Sequence, residues 1–377
     1  MSAAAPSSLL ARSFLPATAV LEMTYACNHA CRFCSCPWEA EGNGFTRRPE
    51  LSVDEWKQCI DLLAGMGCTI FSFTGGEALL KPGIEEIIAF AASRECEHIE
   101  PGGDGLRRRV GPPSLYLLSN GAPVTREVLS FCQEFGIHLS LSLPGLGTYT
   151  YHTQADDAQM VLERFRLAKR MKVSTTVNTA VTRRNLPELW ETIAEAMSAG
   201  AGSLLMNRFL PGGRGLTYAD DLSLAPTDLL TMLDTAEDVL ERCKRPGHLG
   251  TEVPKCLVDP SRYSRLHVGT TCAAATGFFV IGPSGYVRVC NHSPVELAHY
   301  GHIESLKTDP YWRRFALKAY LPKQCLSCTE IGRCDGGCRE AAHIVGGEVD
   351  SIDPMLCAQP SERFPLSPAS ASGLRGC

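Results

Sequence analysis

Three cysteines in one short loop carry the most specific chemistry in the chain. Cys27, Cys31 and Cys34 stand in C-x3-C-x2-C spacing, with the aromatic Phe33 just before the last. Protein-held iron–sulfur clusters normally take four thiolates. Three thiolates on a 4Fe–4S cube therefore leave one iron open to an outside molecule. Tetrahedral zinc is the competing reading, with His29 or Cys36 as a nearby fourth ligand, and the triplet alone does not choose. A second field of cysteines follows in the last third. Cys272 precedes Gly285 by twelve intervening residues and Cys290 by four more; then come Cys325-x2-Cys328-x5-Cys334-x3-Cys338, and finally Cys357. Four close cysteines also suit a structural zinc site.

The elements that position these residues read as alternating strands and helices. Apolar runs at 19–25, 69–73, 115–119, 137–143, 173–181 and 204–209 read as strands. Between them, 52–66, a segment opening at Pro82, 125–135, 156–171 and 186–199 read as helices, and 227–245 forms one more, capped by Thr227. Ser52 and Glu55 make a capping box, and Trp56, Ile60, Leu62 and Leu63 form that helix's apolar face. Pro82 is placed at the first helical position, with Ile84, Ile87, Ile88 and Phe90 as the core side. Strands this apolar are buried on both faces, the mark of a parallel sheet with crossover helices. A partial (β/α)6 barrel fits. Its strand ends then carry the site: the cysteine loop, Gly75-Gly76-Glu77, Asn120 and the Gly-rich stretch 211–215. Residues 95–113 break the pattern and read as a mobile surface insertion with Arg107, Arg108 and Arg109 on a solvated face.

Two motifs in this order, each after a strand, resemble the radical S-adenosylmethionine (radical SAM) superfamily: Cys27–Cys34 and, some forty residues on, Thr74-Gly75-Gly76-Glu77. The resemblance implies that the open iron chelates the amino and carboxylate groups of SAM, and that Glu77 contacts its amino group. Gly75 and Gly76 would let the backbone approach; Ser140, Ser142, Asn178 and Asn207 are further candidates to face the cofactor. The second cysteine field resembles the SPASM domain in every spacing. This implies two auxiliary 4Fe–4S clusters, an outer one on Cys325, Cys328, Cys334 and Cys357 and an inner one on Cys272, Cys290 and Cys338. The inner cluster's fourth position is open, or taken by Cys256 or His267. The other unassigned cysteines, Cys36 among them, read as buried or incidental thiols. The resemblance further implies reductive cleavage of SAM to a 5′-deoxyadenosyl radical, and auxiliary clusters that accept an electron and so favour net oxidation.

Most SPASM-like enzymes modify ribosomally made peptides, which makes an oxidative peptide maturase the expected activity, by a thioether or carbon crosslink. The alternatives are a small-molecule substrate (side-chain removal from a haem-pathway tetrapyrrole, or sugar epimerisation) and sulfatase-type maturation. The sulfatase group carries an Asp after the second SPASM cysteine; this chain has Asn291-His292, which leaves His292 as the candidate base. Eighteen residues ahead of the first strand are too few for a leader-binding domain, so a leader is expected to be bound by a separate protein or by the body of this one, or there is no leader, which keeps the small-molecule class open. A low-potential donor such as ferredoxin or flavodoxin is implied. The segments expected are a flexible 1–18, a radical SAM core 19–216, a helical connector 217–264, a SPASM domain 265–358 and a disordered tail 359–377. A net charge of −5 gives no case for nucleic acid or anionic membrane. No signal peptide or long apolar run is evident, and clustered thiols fit a reducing cytoplasm.

Overall fold

The computed structural model describes residues 14–42, 45–102, 105–155 and 158–356. The N-terminal segment through residue 13, the tail 359–377 and Cys357 lie outside the described residues. Twelve strands are present among them: β1 (Thr18–Glu22), β2 (Ile70–Thr74), β3 (Cys96–Gly102), β4 (Gly105–Gly111), β5 (Ser114–Ser119), β6 (His138–Ser142), β7 (Thr175–Val181), β8 (Ser203–Arg208), β9 (Gly247–Leu249), β10 (Leu266–Val268), β11 (Phe278–Ile281) and β12 (Val287–Arg288). The helices are α1 (Val53–Gly65), α2 (Ile84–Ala92), α3 (Arg126–Glu134), α4 (Tyr149–Thr153), α5 (Gln159–Arg170), α6 (Leu189–Ala199), α7 (Ala219–Leu222), α8 (Pro226–Cys243), α9 (Pro310–Ala316) and α10 (Arg339–Gly346).

The six expected strands are β1, β2, β5, β6, β7 and β8. They lie side by side in that order, all parallel, as a partial (β/α)6 barrel requires. On the sheet face turned away from the strand-end cavity, Leu21, Phe71, Phe73, Leu117, Leu139, Leu141, Val177 and Met206 are essentially inaccessible. Each large apolar side chain so buried contributes about 1.5–3 kcal/mol. The sheet continues past both barrel edges. On one side β9 and β10 extend it in parallel from β8. On the other, β11 pairs in parallel with β1, Thr18 opposite Phe278 and Leu21 opposite Ile281, and β12 turns back against β11. The C-terminal cysteine field is thereby hydrogen-bonded to the first strand.

Several local expectations are corrected. Residues 95–113 are not irregular; β3 and β4 pair along their length as an antiparallel hairpin. Alternate side chains Leu106, Val110 and Ile99 are exposed, so no hydrophobic period marked the strands. The connector after residue 245 contains β9, too short for a periodic signal. Pro82 does not begin α2: Gly83, at φ +76°, is its N-cap. Thr227 does not cap α8. Its cap is Ala225, whose N–H donates to the Asp228 carboxylate at 2.7 Å, with Pro226 first in the helix. Leu62 is exposed, and Phe90 is half-buried beneath the Arg94 guanidinium, 4.2 Å from its ring centroid. Residues 14–18 are not loose, since Phe14 packs edge-on against Trp312 and Leu15 is buried. The Ser52–Glu55 capping box forms as expected.

Candidate active site

A cavity of about 420 Å³ opens where the barrel strands end. Cys27, Cys31 and Cys34 line one wall, and Cys272, Cys290 and Cys338 line another. Both cysteine triplets, more than two hundred residues apart in sequence, therefore face one space. Cys325, Cys328 and Cys334 stand away from it. Among the described residues, no group of three or more His, Cys, Asp or Glu side chains is gathered around one point as for a single metal ion.

The first loop is held from every side. The Glu50 carboxylate accepts the Thr24 hydroxyl at 2.7 Å, the Tyr25 N–H at 2.8 Å and the Lys81 ammonium at 3.0 Å. The N–H groups of Ala30 and Arg32 donate to α4 carbonyls, at 3.2 Å from Thr153 and 2.8 Å from His152. The Arg32 guanidinium lies 4.1 Å from the Tyr151 ring centroid. From the stretch after β8, the Gly215 N–H donates to the Cys34 carbonyl at 3.0 Å and Arg214 donates to the Cys31 carbonyl at 3.3 Å. Gly213, at φ +52°, passes so close that a Cβ would fall 2.5 Å from the Cys36 carbonyl oxygen. Tyr25 packs edge-on to Trp38, and Phe33 against His152. Cys36 is not incidental: it lines the cavity beside Cys34, and its thiol donates to the Gly75 carbonyl at 3.9 Å. Burial pushes the Cys27 and Cys31 thiols up, so metal binding here releases protons.

Gly75 and Gly76 pack against β1 and the start of the loop. A Cβ on Gly76 would lie 2.2 Å from the Ala26 carbonyl oxygen, and Gly75 sits at φ +136°. The N–H groups of Gly76 and Glu77 donate to the Thr24 and Ala26 carbonyls, both at 2.8 Å. Glu77 lines the cavity, but its carboxylate accepts backbone N–H groups from Asn120 at 2.8 Å and Leu79 at 3.3 Å. Burial raises its pKa against those bonds. Ser142, Asn178 and Asn207 line the cavity, with Asn207 donating to Asn178 at 3.2 Å. Ser140 does not: it faces the same way as Ser142 but is fully packed, and its hydroxyl has no hydrogen-bond partner.

The inner triplet is held by acids that the sequence reading did not single out. Asp335 accepts the Cys272 N–H at 2.7 Å, together with Lys318 and the Tyr320 hydroxyl. Asp353 accepts the Cys338 N–H at 2.6 Å and pairs with Arg208, both nearly inaccessible. Beside Cys290, Arg288 pairs with Glu22, and Asn291 donates to the same carboxylate at 3.1 Å. His292 is buried in the cavity wall against Gly212. Burial holds its pKa down to about 4, and its Nε2 has no partner. Glu252 and Glu340 also line the cavity. Glu340 is engaged by the Tyr311 hydroxyl at 2.7 Å and His343 at 3.0 Å. Glu252 carries a carboxylate beside the three inner thiols. It sits in the loop after β9, where no motif marks it. His267 is exposed on β10 and packs on His248, so it does not face the inner triplet. Cys256 is likewise outside the cavity.

Residues 21–196 match the model of the radical SAM superfamily. Those residues form a radical SAM domain, a class of domain that implies a 4Fe–4S cluster and S-adenosylmethionine. Over 369 residues the chain is 24% identical to a PqqA peptide cyclase of Granulibacter bethesdensis, covering 95% of this chain and 91% of that protein. It is also 24% identical to an AdoMet-dependent heme synthase of Methanosarcina barkeri, over 94% of this chain and all of the relative. Among solved structures, Streptococcus suis SuiB bound to its precursor peptide SuiA superposes with a TM-score of 0.67 at 13% identity, over 90% of this chain and 75% of SuiB. No described helix is long and apolar enough to cross a membrane.

Proposed function

We propose that this radical SAM enzyme oxidatively modifies a ribosomally made peptide. The observation that carries the reading is the single cavity walled by both Cys27/Cys31/Cys34 and Cys272/Cys290/Cys338. A substrate there sits between a site of hydrogen-atom removal and a site of electron removal. When bound, the SAM cluster supplies a 5′-deoxyadenosyl radical, and an inner cluster an electron acceptor. Cys27, Cys31 and Cys34 hold the first group. Gly75 and Gly76 set the loop against the strand, and Glu77 fixes the Asn120 turn at the cavity rim. Cys272, Cys290 and Cys338 hold the inner cluster, and Cys325, Cys328 and Cys334 the outer one. The peptide-cyclase likeness over nearly the whole chain supports the substrate class. Asn291, donating to Glu22, takes a structural place where sulfatase-type maturation needs a base. Neutral His292, buried in the cavity wall with its Nε2 unpaired, is the group to accept a proton from the oxidised substrate. The enzyme works in the cytoplasm with a ferredoxin- or flavodoxin-type donor, and with a separate leader-binding protein where the peptide has a leader.

The test is anaerobic co-expression with each short open reading frame beside the gene, followed by intact mass. Loss of two hydrogens from one peptide, abolished by Cys27→Ala, is the expected result. The same Cys27→Ala protein should make no deoxyadenosine and keep its auxiliary iron. Deoxyadenosine formed without any change in a peptide would favour the second reading, a tetrapyrrole substrate, which the heme-synthase likeness supports.

A further inference from the structure

Cys256 is one of the thiols that the seven-cysteine pattern leaves out, and its backbone neighbour bonds an outer cysteine. Its neighbour Lys255 donates a backbone N–H to the Cys334 sulfur at 3.4 Å, and the Lys255 ammonium pairs with Glu330 at 2.5 Å. The Glu330 N–H donates to the Cys328 sulfur at 3.5 Å, and the Gly336 N–H adds a second bond to Cys334 at 3.4 Å. A Cβ on Gly336 would lie 3.2 Å from the Cys325 sulfur, so the three pattern thiols share one small region. Cys256 interacts electrostatically with all three. It is carried on a tight turn, the Leu257 N–H bonding the Pro254 carbonyl at 3.0 Å, between β9 and β10. The Val253 N–H bonds the Gly269 carbonyl at 3.0 Å and anchors that turn to the sheet.

We infer that Cys256 is the fourth thiolate of the outer iron–sulfur cluster, the place that the seven-cysteine pattern gives to Cys357. Four soft thiolates, with backbone N–H donors to the sulfurs of Cys328 and Cys334, are the donor set such a cluster takes. The ligand comes from the β9–β10 connection, so the cluster ties the C-terminal loop 325–338 to the edge of the barrel sheet. Cys256 stands outside the cavity that Cys272, Cys290 and Cys338 line, the other place the sequence offered for this thiol.

The inference rests on the auxiliary clusters proposed above, and iron counting separates the two. Fully reconstituted protein should hold about twelve irons. Cys325→Ser, Cys256→Ser and Cys357→Ser are each reconstituted anaerobically, and iron, sulfide and Mössbauer spectra are measured. Cys325→Ser that keeps all its iron would refute the auxiliary cluster itself. With Cys325→Ser short by about four irons, the expected result is that Cys256→Ser loses the same irons or retains them with an altered, oxygen-ligated spectrum, while Cys357→Ser retains the parent spectrum. An unaltered Cys256→Ser spectrum beside loss in Cys357→Ser would overturn the assignment. Peptide-level alkylation of the unsubstituted holoprotein gives an independent readout. Cys256 should be protected and Cys357 labelled; rapid labelling of Cys256 at full iron content would count against ligation.

Discussion

Glu50 shows how a single side chain sets the geometry of the cluster loop. Its carboxylate gathers the Thr24 hydroxyl, the Tyr25 N–H and the buried Lys81 just ahead of Cys27. Burial pushes its pKa up, but the bonds from Thr24, Tyr25 and Lys81 outweigh it and hold the carboxyl below its ordinary 4.5. The unfolded chain then binds this proton more readily than the folded one. The stability so contributed is complete above about pH 4.5 and is lost as pH falls through the lower, folded value. Glu50→Gln leaves Lys81 buried without its counter-charge and should cost on the order of 3 kcal/mol. Urea melts near neutral and near about pH 4 test this: the difference between variant and parent should shrink at the lower pH. A constant difference would mean that the carboxylate's charge is not what holds the loop.

At the scale of elements, the barrel strands and the β3–β4 hairpin behave as separate cases. Each barrel strand is paired on both sides and packed at its faces. β3 and β4 pair only with one another, and Leu106, Val110 and Arg107–Arg109 are exposed. An isolated two-stranded hairpin adds little stability. Replacing residues 98–109 by a short Gly-Asn turn should therefore leave the thermal midpoint within about 3 °C of the parent, with iron content unchanged. A larger loss in either measurement would show that the hairpin supports the barrel. The reach of α4 is the opposite case. One and a half turns of helix, unsignalled by any hydrophobic period, supply two carbonyls that fix the backbone of the cluster loop.

Across the whole molecule, buried ion pairs join the barrel to the cysteine-rich end. Glu22 at the end of β1 meets Arg288 on β12, and Arg208 at the end of β8 meets Asp353 near the last described residues. Such pairs add little over apolar packing, yet breaking one leaves an uncompensated charge in the interior. Asp353→Ala strands Arg208 and frees the Cys338 N–H. A loss of about 3–5 kcal/mol is expected, along with iron from the inner cluster proposed on Cys272, Cys290 and Cys338. A double variant, Arg208→Met with Asp353→Ala, should recover a large part of the stability but not the iron, because the N–H of Cys338 still lacks its acceptor. Denaturant midpoints and iron analysis check both halves. Full recovery of iron would mean that Asp353 acts only through the charge of Arg208.

The sequence by itself determined the barrel and both cysteine fields. Short apolar runs and helix caps such as Ser52–Glu55 are local signals, and thiol spacing within a loop is fixed by the chain itself. The order of the six barrel strands followed from short right-handed crossovers. Only the tertiary structure decided what those elements share. Whether Cys34 and Cys272 face one cavity, whether Ser142 rather than Ser140 reaches it, and where Cys256 points depend on contacts between residues far apart in sequence. The same holds for the acids: Asp335, Asp353 and Glu252 have no spacing that marks them, because their partners are brought to them by the sheet. The sequence offered His267, just before Cys272, and Cys256, farther upstream, for one and the same place. Pairing of β9 with β10 turns the first outward and carries the second to the outer thiols, and strand pairing of that kind is a property of the folded sheet.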